Sequence, residues 1–118
     1  MTRMTLIGLA RLIDERPAAL RHRRLGLVSH PAAILPDCTH ALAALRTAGL
    51  NVTTVFGPEH GWGGAAADGV IVAHGHDTAS GLNVYSLYGA DREPTAEMLA
   101  EVDALVFDMQ DVGARFYT

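Results

Sequence analysis

The chain has 118 residues, enough for one small domain and too few for two. About half of it (49%) is apolar, so a core can form, while a formal charge of −4, from 13 acids against 9 Lys and Arg, argues against a nucleic-acid partner. Cys38 is the single cysteine, which excludes an intrachain disulfide, and no apolar run reaches the length of a signal-peptide core or a membrane span. Membrane insertion is therefore not expected. The expected location is cytoplasmic, with a periplasmic or secreted one open if the N-terminus is processed.

Residues 5–15, TLIGLARLIDE, space Leu6, Leu9, Ala10 and Ile13 as a helix does, and Pro17 should end it. Arg21, Arg23 and Arg24 around His22 read as a solvated end before a strand rather than an anion site. Leu25, Leu27 and Val28 make a short strand that stops at Ser29-His30-Pro31. DCTHALAALRTAGL predicts a second helix, with Asp37 or Thr39 as cap, Leu42 and Leu45 inward and Gly49 just past its end. NVTTVFG is β-branched and aromatic, hence a strand. Residues 61–82 are rich in Gly and Ala without a period and read as a loop, with or without a short helical turn. LNVYSLYG alternates Val84, Ser86 and Tyr88 against Tyr85 and Leu87, which suits a strand. EPTAEMLAEVD predicts a helix capped by Thr95, with Glu97 in its first turn. ALVFDMQD is the last strand.

Strands alternating with helices predict an α/β fold: a Rossmann-like three-layer sandwich with a mostly parallel sheet and right-handed crossovers. The sequence stops at RFYT with no closing helix, so the sheet is expected to be incomplete, and Phe116 and Tyr117 to pack in a core.

In open parallel sheets, ligands bind beyond the carboxyl ends of the strands. The first strand ends in Ser29-His30, the second in Glu59-His60, and the last in Asp108, Gln110 and Asp111. Each residue also has a plainer reading. Glu59 can cap a helix starting near Trp62. His60 and Asp108 can bond loop backbone, Asp111 can serve a turn before Val112-Gly113, and Arg115 can clamp a carboxylate. GWGG lacks the Lys-Ser/Thr of a phosphate-binding loop, no GxGxxG follows the first strand, and no GxSxG elbow is present. HGHD, His74 to Asp77, has the composition of a metal cluster, but His-x-His on a Gly-rich loop is a common pattern. No metal and no other cofactor is expected. Paired carboxylates with imidazole and amide helpers remain, as glycoside hydrolysis uses. Partial burial beside Trp62 or Phe56 would raise the pKa of Glu59 towards that of a proton donor.

VFGPEHGWGG, GLNVYSLYG, PTAEML and ALVFDMQDVGARFYT, with LGLVSHPAAI at the first strand, resemble the signature stretches of the DUF1343 family, in its order and spacing from Leu6 to Thr118. The characterised members of that family are exo-β-N-acetylmuramidases of the NamZ type. The resemblance implies that residues 1–118 are part of an N-terminal Rossmann-like catalytic domain, with the C-terminal domain absent. It implies release of N-acetylmuramic acid from the non-reducing end of peptidoglycan fragments, with a muropeptide or MurNAc-GlcNAc saccharide as partner. Glu59 falls on the expected catalytic acid, and Asp108 is the candidate second carboxylate. Ser29, His30, His60, Gln110, Asp111 and Arg115 fall on motif positions that would line the cleft. Many relatives carry arginine where Gly63 stands and asparagine where His30 stands, and both departures bear on sugar recognition. The match covers only the family's N-terminal third. Two alternatives stand beside this reading: a truncated, non-catalytic saccharide-binding domain, and a metal-dependent hydrolase using His30, His60, His74 and Asp108.

Overall fold

A computed structural model describes residues 4–67 and 69–114. Among these residues, five strands form one sheet: β1 (Leu25–Ser29), β2 (Val52–Gly57), β3 (Gly75–Asp77), β4 (Leu82–Ser86) and β5 (Ala104–Asp108). Their spatial order is β3-β4-β2-β1-β5. β1 runs parallel to β2 and to β5, β2 runs parallel to β4, and only β3 is antiparallel. β1 and β2 are central and almost wholly buried, which is why LGLV and VTTVF read as unbroken apolar and β-branched runs rather than alternating ones.

Helices α1 (Gly8–Glu15) and α2 (Ala41–Thr47) cover one face. Leu9, Leu42 and Leu45 bury there against Leu25, Leu27, Val52 and Val55. The other face packs Val28 and Phe56 under Met98 of α3 (Ala96–Ala100), with Tyr85 at the margin. The Tyr85 hydroxyl donates to Glu101 Oε1 (2.6 Å), which ties the end of α3 to the sheet and pushes the Tyr85 phenol above its ordinary pKa. The molecule is thus the three-layer, mostly parallel α/β sandwich its alternation predicts.

Several boundaries differ from expectation. α1 starts at Gly8 rather than residue 5, and Arg16 (φ 39°) closes it one residue before Pro17. α2 is capped by His40, whose Nδ1 accepts from the Leu42 amide (3.2 Å). Asp37 instead accepts from the Thr39 amide in a turn just upstream (3.0 Å). Gly49 does follow α2 in the left-handed region (φ 84°). Thr95 caps α3 as expected, accepting from Met98 N–H, but α3 is only five residues long. Residues 61–82, expected to be loop, contain β3. Its turn into β4 is closed by the Ser80 amide on Asp77 Oδ2 (2.9 Å) and the Gly81 amide on the Asp77 carbonyl (2.8 Å). An Asp followed by Gly across a short turn was the available signal, and it was masked by the weak apolar character of Gly75–Asp77.

Among the described residues, no helix is long and apolar enough to cross a membrane. Arg24 is held by Asp103, at 2.8 Å from Nη2 to Oδ1, so that part of the Arg21–Arg24 cluster is an ion pair at the entrance to β1 and β5.

Candidate functional site at the carboxyl ends of the strands

The glycines after β2 have a steric cause. The chain folds back over Gly57 so closely that a Cβ there would lie 2.5 Å from the Trp62 nitrogen and 3.0 Å from its Cα. The reversal is made by a turn from Pro58 to Gly61, whose amide donates to the Pro58 carbonyl (2.9 Å). His60 (φ 69°) and Gly61 (φ 78°) both sit in the left-handed region, where histidine is one of the less disfavoured side chains. His60 closes the next loop from both its main chain and its ring. Its carbonyl accepts from the Ala66 amide (3.1 Å), and its Nδ1–H donates to the Ala66 carbonyl (2.9 Å). That bond places the proton of a neutral ring on Nδ1 and its lone pair on Nε2.

Glu59 is carried on this turn with only 6% of its surface exposed. The Gly69 amide donates to its Oε1 over a long 3.4 Å. Among the described residues, no helix begins near Trp62, so Glu59 does not cap one there. The indole of Trp62 instead packs edge-on against His40, with ring centroids 5.3 Å apart at 87°.

On the other side of the rim, Ser29 pairs with Asp108 at the last rung of the β1–β5 ladder, while Gly57 pairs with Ser86 on β4. Ser29 is fully buried and His30 is 2% exposed, so in this chain neither offers its side chain to solvent. The Gln110 amide donates to His30 Nε2 (2.9 Å), and His40 Nε2–H donates to the His30 carbonyl (2.9 Å). Burial pushes the His30 imidazole below its ordinary pKa; the charge of Asp108 opposes this and His40 adds to it. Asp108 is half-buried, while Gln110 and Asp111 are exposed. Asp111 Oδ1 accepts from the Gly113 amide (3.3 Å), the turn role open to it in the sequence. Arg115, Phe116 and Tyr117 lie outside the described residues.

The rim therefore gathers Glu59, His60, Asp108, Gln110 and Asp111 around the ends of β2, β1 and β5, with Ser29 and His30 beneath them. His74 and His76 flank this rim on the β4 side, each with its own partners. His74 Nδ1 accepts from the Ser86 amide (2.9 Å) and its Nε2 meets Asp91 (3.3 Å), while His76 faces Asn83. Among the described residues, no three His, Cys, Asp or Glu side chains converge as a metal ion requires. A cavity of about 350 Å³ between His60, Trp62, Val72 and Val84 adjoins the rim. A larger one, about 520 Å³ and lined by Asp14, Arg21, His22 and Gly49, opens beside the chain entering β1 and β2, the end of a parallel sheet where ligands do not bind. The residue that composition alone did not single out is His40. Its signal is its place at the helix start, beside the polar Asp37 and Thr39 that also suit a cap.

Fold and rim together define an open-sheet α/β domain with a polar cluster at its strand ends. Residues 25–118 match the family model described as exo-beta-N-acetylmuramidase NamZ, N-terminal. The chain belongs to that family. It is 41% identical over 112 residues to the peptidoglycan beta-N-acetylmuramidase NamZ of Bacillus subtilis (strain 168), a match covering 94% of this chain and 27% of the relative. Crystal structures of two DUF1343 family proteins of Bacteroides fragilis NCTC 9343 share the fold. One is 36% identical with a TM-score of 0.80, covering 94% of this chain; the other is 28% identical with a TM-score of 0.70, covering 95%. The chain spans 27% of the length of each of these proteins, nearer a quarter than the third expected.

Proposed function

We propose that this chain carries the acid-bearing part of the active site of an exo-acting β-N-acetylmuramidase, which releases N-acetylmuramic acid from the non-reducing end of muropeptides or a MurNAc-GlcNAc disaccharide. The observation that carries this reading is Glu59, a carboxyl almost withdrawn from water at the end of a central parallel strand, inside the stretch that matches the family. Glu59 is the general acid, protonating the glycosidic oxygen as the bond to the leaving sugar breaks. Asp108 is the second carboxylate. The ladder sets its strand two places from that of Glu59, roughly 9–10 Å between backbones. A carboxyl separation of ~5–5.5 Å in a substrate complex would make Asp108 a nucleophile, and ~6.5–9.5 Å the base that activates water. His60, Gln110 and Asp111 form the polar wall that receives the sugar, over a floor made by Ser29 and His30, and Arg115 is a further sugar-binding residue by its place in the family motif. The chain is the N-terminal portion of the domain, and the remaining walls of the cleft come from the part of the family fold it does not span.

The test is Glu59→Gln in a family-length protein, assayed on MurNAc-GlcNAc. The variant keeps the shape of the side chain and removes its transferable proton, so turnover should fall by ~10²–10⁴-fold with an unchanged circular dichroism spectrum. Turnover near that of the parent would remove Glu59 from the mechanism.

A further inference from the structure

The β1–β5 ladder ends at Ser29 and Asp108, and beyond it both strands leave the sheet. One more bond nonetheless joins them, across 80 positions of sequence: the Gln110 amide on His30 Nε2. It continues the ladder one step past its last rung, with an imidazole in place of a carbonyl. The imidazole is itself held. The His30 carbonyl receives Nε2–H of His40, and Nδ1 of that ring receives the first free amide of α2. Both tautomers follow from the partners. A backbone amide can only donate, so His30 Nε2 carries a lone pair, and so does His40 Nδ1. The charged and titratable groups acting on His30 include Asp108 from β5 and His40 at the start of α2.

We propose that His30 is a positioning residue: through the Gln110 amide it fixes the segment Asp108 to Asp111 against β1, and so sets where that segment's polar groups stand on the rim. The clasp itself depends only on the geometry above; its consequence for sugar binding rests on the proposed function. Because His30 is 2% exposed, it acts on the rim from beneath. A glutamine at this position places an amide oxygen near the site of Nε2, whereas alanine leaves the Gln110 amide with no acceptor there.

The experiment is nitrogen-resolved NMR and amide hydrogen exchange on this chain, with His30→Gln and His30→Ala. In the parent, His30 should be protonated on Nδ1 at neutral pH. Gln110 exchange should quicken by about 2- to 12-fold in His30→Ala, the worth of one ordinary hydrogen bond, and stay near the parent in His30→Gln. An Nε2-protonated ring in the parent would overturn the proposal, whether or not the alanine variant folds. So would Gln110 exchange in His30→Ala equal to the parent, or loss of protection in a folded His30→Gln as great as in alanine. None of these readouts measures glycosidase activity, so a failed clasp and a failed functional reading remain distinguishable.

Discussion

Gly57→Ala is the smallest change that should disturb both fold and rim. The added methyl meets main-chain atoms, the Trp62 nitrogen at 2.5 Å and its Cα at 3.0 Å, and not the movable end of a side chain. Relief requires the Pro58–Gly61 turn to lift, against the Gly61–Pro58 bond below it and the paired His60–Ala66 bonds beyond. Overpacking of this kind costs about 1–3 kcal/mol. For a chain of this size each kcal/mol moves Tm by about 4 °C, so a fall of roughly 4–12 °C is expected. Urea unfolding gives the same quantity as a shift in midpoint at constant slope. Gly63→Ala is the control, because a Cβ there meets nothing within 4 Å, and it should stay within about 0.5 kcal/mol of the parent. If Gly57→Ala were as stable as that control, close approach of the backbone would not be the reason for glycine at the end of β2. In a family-length protein the same lift displaces Glu59, and a displacement of ~1 Å is enough to lower turnover by ~10²-fold.

Two further outcomes concern charge and capping. Arg24 holds the Asp103 carboxyl at about 2, below its ordinary 3.8, so the pair's stabilisation is present above pH 4 and is lost as pH falls from about 4 through about 2; Asp103→Asn should flatten that limb of a pH–stability curve, and an unchanged limb would refute the assignment. His40→Ala removes both the α2 cap and the bond to the His30 carbonyl, and should cost about 1–2 kcal/mol in urea unfolding, whereas His40→Asn, which restores a capping side chain, should recover part of it.

The features legible in the sequence were those that a single physical rule determines. Continuous burial wrote β1 and β2 as apolar runs, Thr95 announced α3, and the polar residues at the strand ends followed from parallel topology. What was illegible depended on contacts between distant segments. His40 caps α2 because its other nitrogen has a carbonyl to bind, and that carbonyl belongs to β1's exit. β3 exists because β4 offers it a free edge; three residues, two of them exposed, carry no periodicity of their own. His30 reads as a lining residue by position, yet its 2% exposure and its hold on Gln110 come from an element 80 residues away.

The two faces of the sheet are unequally covered, and this has a measurable consequence. Among the described residues, α1 and α2 shield one face but only five-residue α3 lies on the other, leaving Leu105 45% and Phe107 71% exposed on β5. Among the described residues, β5 is also an edge strand of the sheet. Parallel strands are ordinarily covered on both faces, and an apolar edge is a template for pairing with another chain. The 118-residue chain on its own should therefore self-associate through β5 across roughly the micromolar to millimolar range. Light scattering should show mass rising with concentration. Phe107→Lys places a charge where no apolar partner is lost, because the ring contacts little but solvent, so the variant should fold as the parent does and remain monomeric. A parent chain that is monomeric throughout, or a lysine variant that associates as strongly, would show that the exposed β5 face is not what drives association.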